Sequence, residues 1–144
     1  MPSTSLNESD FEGLSGQLRG ALIKPKDDSY DEARKVYNAM HDRRPALIVC
    51  ASGVADVITA VGFAGEHGLE LAVRGGGHSA PGFGTCDGGL VLDLGAMNGI
   101  RVDPDARTAR AEGGCTLGDL NHATHAFGLA TPAGIVSTLS LIHI

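Results

Sequence analysis

Three successive glycines at the end of an apolar strand constrain this chain more than any other feature. Val73-Arg74-Gly75-Gly76-Gly77-His78-Ser79 follows Leu69-Glu70-Leu71-Ala72, so a strand delivers the backbone straight into a stretch without side chains. Glycine enters positive-φ conformations at no steric cost, and consecutive N–H groups there can turn toward one point. Such a nest binds an anion, and side chains in its place would keep a diphosphate from close approach. The pattern is not a Walker loop, since no Gly-Lys-Ser/Thr follows, nor a Gly-x-Gly-x-x-Gly turn opening a helix. Beyond Ser79 the chain runs Ala80-Pro81-Gly82-Phe83-Gly84, which reads as loop. On physics alone, a glycine-rich turn without a ligand fits the same residues.

The rest of the chain supplies a scaffold for that loop. Ser29-Tyr30-Asp31-Glu32 reads as a capping box, and Tyr30, Ala33, Val36, Tyr37 and Met40 then recur at helical spacing. Arg43-Arg44-Pro45 ends that pattern, with the two arginines expected as a solvated pair, and Ala46–Cys50 is a short buried strand. Val54, Ile58 and Val61 fall on one helical face, with Gly68 closing the helix. Leu69–Val73 and Leu90–Leu94 are strands, with Asp87 and Asp93 expected in turn or sheet-end roles. Ile100–Asp103 and Thr108–Ala111 alternate like a hairpin around Pro104-Asp105. Thr116 and Asp119 then cap a last helix bearing Leu117, Leu120, Thr124 and Phe127 along one side, closed by Gly128. A β-α-β beginning followed by an antiparallel hairpin predicts an α+β fold.

Composition narrows the function classes. The 144 residues include 21 glycines, about twice the usual share and without a collagen period. A formal net charge of −6 argues against nucleic-acid binding, which needs basic stripes to neutralise phosphates. No apolar run approaches a membrane span, and residues 1–10 lack the basic and apolar regions of a secretory signal. Cys50, Cys86 and Cys115 are widely spaced, as expected of free thiols in a reducing, cytoplasmic compartment. His122 and His125 sit one helical turn apart, but no third ligand is evident, so an exposed helix face is expected there rather than a metal site.

The ordered set of motifs carries a family resemblance. Arg74–Ser79, Thr85-Cys86-Asp87-Gly88-Gly89-Leu90-Val91-Leu92-Asp93-Leu94, Ala111–Leu120 and Gly128–Gly134 together resemble the PCMH-type FAD-binding domain of the vanillyl-alcohol-oxidase superfamily. Tyr30–Arg34, Asn38 and Arg44-Pro45-Ala46 point to its berberine-bridge-enzyme-like branch. The resemblance spans roughly residues 20–138. It implies a truncated domain: a small β-α-β subdomain plus the start of a mixed or antiparallel sheet subdomain. The corresponding division is 1–41 as N-terminal arm and helix, 42–138 as partial FAD-binding domain, and 139–144 as a non-native tail. That tail, Leu139-Ser140-Leu141-Ile142-His143-Ile144, resembles a translated sequencing adapter, so the natural gene is expected to continue and no role is assigned to His143.

The resemblance also implies residue roles. Arg74, Gly75, Gly76, Gly77, His78 and Ser79 would hold the FAD pyrophosphate, with His78 as the covalent attachment point to the 8α carbon of the flavin. Thr131, Pro132, Gly134, Val136 and Thr138 would line the flavin. Val136 stands where some members carry a second attaching cysteine, and neither Cys86 nor Cys115 replaces it, so attachment through His78 alone is expected. The implied activity is oxidation of an alcohol, carbohydrate or related small molecule by hydride transfer to FAD, with oxygen or another molecule as electron acceptor. The catalytic base would lie outside this chain, leaving the fragment itself inactive. A noncovalent FAD-binding reductase of the same fold, or a nucleotide-binding module without redox activity, are the alternatives.

Overall fold

The most apolar runs of the chain form its central strands. The computed structural model describes residues 6–141; the readings made of the first five residues and of His143 lie outside them. Leu47, Ile48 and Val49 of strand β2 (Leu47–Cys50) and Leu90, Val91 and Leu92 of β4 (Leu90–Asp93) are buried on both faces. That is the pattern of central parallel strands. β2 and β3 (Leu71–Arg74) both pair in parallel with β4, and β1 (Ala21–Ile23) adds an antiparallel edge to β2, giving the order β1-β2-β4-β3. Register aligns Cys50, Asp93 and Arg74 across neighbouring strands, so the carboxyl ends of β2, β4 and β3 finish in one row. The glycine loop leaves from that row.

Alternation along the strands divides the core. Leu47, Val49, Leu90 and Leu92 pack on one face with Leu14, Ala60, Ala64 and Met97. Ile48, Val91 and Ala72 pack on the other with Tyr30 and Cys86. Helix α3 (Val54–Glu66) covers the first face, and Gly68 follows it at φ +62 as expected. Its orientation is a finding. Asp56, Ala60 and Ala64 face inward, whereas Val54, Ile58 and Val61 are 64%, 68% and 46% exposed. Alanines let the helix approach the sheet closely, and the buried Asp56 carboxylate, bonded at the entrance of the helix, fixes its rotation.

Two further departures concern the first forty residues. Helix α1 (Glu8–Ser15) begins at an Asn7/Asp10 capping box within the stretch read as a polar arm. The helix expected over Tyr30–Met40 is a single turn, α2 (Tyr30–Ala33). Ser29 sits at φ −80, ψ −9 and caps nothing, because an N-cap side chain works from extended backbone. Beyond the turn, the carbonyls of Ala33 and Lys35 accept from the Arg74 guanidinium, which removes them from any continuing helix. A long-range partner overrides local periodicity there.

The C-terminal half follows its sequence closely. β5 (Ile100–Asp103) and β6 (Thr108–Ala111) form the antiparallel hairpin, with Arg107 left-handed in its turn. Helix α4 (Leu117–His125) starts at the reciprocal Thr116/Asp119 capping box, buries Leu117, Leu120 and Thr124, and is followed by Gly128 at φ +65. Phe127 at its end is half exposed, at 51%. A mixed four-stranded sheet, a separate two-stranded sheet and these helices make the architecture α+β. Among the described residues, no helix is long and apolar enough to cross a membrane.

Candidate cofactor site

The site begins with a buried ion pair at the end of the sheet. Arg74, the last residue of β3, is 5% exposed and meets Asp93 with Nη2 at 2.7 Å and Nε at 2.9 Å from Oδ2. Its remaining donors reach Ala33 O at 2.6 Å and Lys35 O at 3.2 Å. Asp93 Oδ1 also accepts from Gly95 N, in keeping with the sheet-end role. With its guanidinium so committed, Arg74 fixes the start of the loop.

The loop itself offers donors. Gly75, Gly77 and Ser79 are buried and Gly76 is exposed. Among the described residues, no hydrogen bond is donated by the amides of Gly75, Gly76, Gly77, His78 or Ser79. Buried N–H groups are rarely left without a partner, so the amides of the buried Gly75, Gly77 and Ser79, which find no acceptor among the described residues, make a donor set suited to an acidic ligand. Gly77 lies at φ +70, and a Cβ on Gly76 would come within 2.7 Å of the His78 ring. Glycine is therefore favoured at 77 by its backbone conformation, and a side chain at 76 would force the His78 ring to move.

His78 is half-buried beside this row. Its Nδ1 accepts from Ser140 N at 3.3 Å and lies 3.3 Å from Ser140 Oγ, while the Tyr37 ring stands 5.6 Å away, centroid to centroid. Ser79 Oγ accepts from Phe83 N at 3.1 Å, turning the chain back.

A strap that sequence reasoning missed holds the loop from outside. Tyr37 N donates to Gly77 O at 3.0 Å; Asn38 Nδ2 and His41 Nε2 converge on Ala80 O at 3.0 and 2.9 Å. Arg43 is half-buried rather than fully solvated: its Nη1 donates to Thr85 O at 2.7 Å and Gly82 O at 3.3 Å. Arg44 is exposed, and its amide donates to Asp87 Oδ1 at 2.8 Å. The signal was the polar residues 38, 41 and 43 interrupting an apolar helical stripe, which a free helix has no reason to place there.

Thr131, Pro132, Gly134, Val136 and Thr138 are all exposed and belong to no helix or strand. Their segment lies along the start of α4: a Cβ on Gly134 would sit 2.9 Å from Leu117 Cδ1, and Gly118 N donates to Ser137 O at 2.8 Å. The structure thus gathers residues 74–79 into one loop and brings the chain just after 131–138 beside His78, through Ser140.

The thiols are poor nucleophiles. Burial pushes Cys86 up to about 11, raises Cys115, and raises Cys50 with help from the Asp93 carboxylate; an unreactive thiol follows from a scarce thiolate. His122 and His125 are exposed on α4. Among the described residues, no group of three or more His, Cys, Asp or Glu is placed to hold a metal. A cavity of about 740 Å³ lined by Leu6, Phe11, Lys24 and Ala46, Leu69 and Gly88 opens at the amino ends of β2, β3 and β4, the far end of the sheet from the glycine loop.

Comparisons with known proteins fit this geometry. A family described as "FAD binding domain" matches residues 45–141. The chain is 40% identical over 118 residues to (R)-6-hydroxynicotine oxidase of Paenarthrobacter nicotinovorans, which is 82% of this chain and 26% of that protein. The crystal structure of 6-hydroxy-D-nicotine oxidase from Arthrobacter nicotinovorans superimposes with a TM-score of 0.81 at 38% identity, covering 85% of this chain and 27% of that one. BBE-like 1 of Physcomitrella patens gives 0.82 at 29% identity, covering 90% and 29%. The chain spans about a quarter of the length of the curated relatives it matches.

Proposed function

This chain belongs to the FAD-binding-domain family of berberine-bridge-enzyme-like FAD-linked oxidoreductases, and from that premise we propose that it is the flavin-holding part of an enzyme that oxidises a small molecule, with FAD attached through His78. The observation that carries the reading is the row of undonated amides from Gly75 to Ser79, set at the carboxyl end of a parallel strand and ending against an imidazole. A dinucleotide pyrophosphate matches that donor set in charge and in its need for close backbone approach.

Each residue then has a task. The amides of Gly75–Ser79 hold the pyrophosphate, and the Arg74–Asp93 pair keeps the start of their loop in place. His78 would supply an imidazole nitrogen for a single bond to the 8α carbon in place of one of its hydrogens, the two electrons released passing to the flavin ring and on to the electron acceptor and the proton to solvent. Thr131, Pro132, Gly134, Val136 and Thr138 line the flavin, and Val136 offers no thiol for a second bond. When bound, FAD supplies the hydride-accepting chemistry, and the protein supplies position and electrostatics. The substrate class is an alcohol, a carbohydrate or a related small molecule, and the electron acceptor is oxygen or another small molecule. The flavin-binding part is assigned to residues 42–138, after the arm and helix of residues 1–41. The three free thiols support placing the protein in the cytoplasm.

The test is made on the full-length protein, denatured in acid and run on a gel beside His78→Ala. Flavin fluorescence in the wild-type band and none in the variant is expected. Flavin released entirely on denaturation would move the reading to a noncovalent reductase of the same fold. A folded, colourless protein would leave only a nucleotide-binding module.

A further inference from the structure

Tyr37 is out of place for its size. Its ring is 80% exposed, and an aromatic side chain of that area normally finds cover. Yet its position is closely set. Tyr37 N donates to Gly77 O at 3.0 Å, and the flanking carbonyl of Lys35 is held by Arg74 while Asn38 is held to Ala80 O. Gly77 suits this junction, since its φ of +70 is a backbone conformation that other residues rarely adopt. The backbone is thus pinned on both sides of a ring that the core does not bury. The ring stands 5.6 Å from the His78 imidazole at 45°. Within the described residues its hydroxyl makes no hydrogen bond.

We propose that Tyr37 is an aromatic wall of the cofactor pocket, its face covered by the planar heteroaromatic ring that bonds or abuts His78. This rests on the assignment of FAD to the glycine loop and deepens it: the strap does not merely brace the loop but presents a ring to the ligand. A covered aromatic face contributes through contact area and ring–ring attraction, and the phenol oxygen is incidental. The strap would then couple recognition of the phosphates, at Gly77, to recognition of the ring, at Tyr37, through one hydrogen bond.

Affinity for FAD is read in the full-length protein by quenching of flavin fluorescence, in a His78→Ala background where binding is reversible. Tyr37→Ala is expected to weaken binding roughly three- to tenfold and to reduce the quenching at saturation. Tyr37→Phe should restore both. With His78 present, the appearance of acid-stable fluorescence after adding FAD to apoprotein should slow in Tyr37→Ala alone. Equal affinity and equal quenching with and without the Tyr37→Ala substitution would overturn the wall while leaving FAD binding intact. Failure of the His78→Ala protein with Tyr37 in place to take up FAD, when the unmutated protein also takes up none, would overturn both readings together.

Discussion

Replacing Arg74 by alanine is expected to destabilise the fold by about 3–5 kcal/mol, the usual effect of breaking a buried ion pair by removing one partner. Its side chain is 6% exposed and that of Asp93 21%. Deletion leaves the Asp93 carboxylate without its cation and strands the carbonyls of Ala33 and Lys35. Lysine should recover only part of the loss, because one ammonium cannot meet the carboxylate and two carbonyls that the planar guanidinium spans. Urea unfolding followed by circular dichroism measures the difference. A loss below about 1 kcal/mol would mean that the pair is compensated by water, contrary to its burial. The same variant should lose FAD, since both the loop and the strap hang from this one side chain.

Asp56→Ala is expected to cost about 3 kcal/mol, since hydrogen bonds to a charged acceptor are the stronger kind and their donors would be left buried. The carboxylate accepts from Arg19 N at 2.8 Å, Gly20 N at 3.0 Å, and Ser52 N and Oγ at 2.8 and 2.9 Å. It thereby ties the approach to β1 to the turn between β2 and α3. Gly20 is needed at that junction, because a Cβ would fall 1.9 Å from Cys50 O. Donation from the Arg19 amide above all, then from Ser52 and Gly20, holds the carboxyl at about 2 against the opposing effect of burial, below its ordinary 3.8. A lowered folded-state value means that the unfolded chain takes up the proton first. The stabilisation is therefore complete above pH 4 and is lost as pH falls from about 4 to about 2, amounting to about 2 kcal/mol. Stability measured across that window should fall steeply in the wild type and less steeply in Asp56→Asn. Parallel curves would show that other carboxylates dominate the acid transition.

The strands, the hairpin, the capped helix α4 and the glycine loop were legible in the residues alone. Each depends on neighbours a few positions away: apolar runs for β2 and β4, a hydroxyl and a carboxylate three apart at Thr116 and Asp119, glycines where the backbone must turn without a Cβ. That an imidazole directly follows those glycines, at His78, is likewise a matter of contiguous sequence. The strap at residues 36–43 was not, because Tyr37, Asn38, His41 and Arg43 find their partners some forty residues away in the loop. Local spacing read there as helix, and Arg74 decided otherwise by taking two of the carbonyls that a helix would have used. The rotation of α3 was equally hidden: Val54, Ile58 and Val61 look like an inward stripe until Asp56 meets Arg19, Gly20 and Ser52. What the sequence determined by itself is the glycine loop, the strands and helices from Leu47 onward and the family, since these rest on short-range stereochemistry and contiguous motifs. Only the tertiary structure decided which side chains surround the loop and which face of α3 is buried, because those outcomes are set by buried charges satisfying donors and acceptors brought from distant parts of the chain.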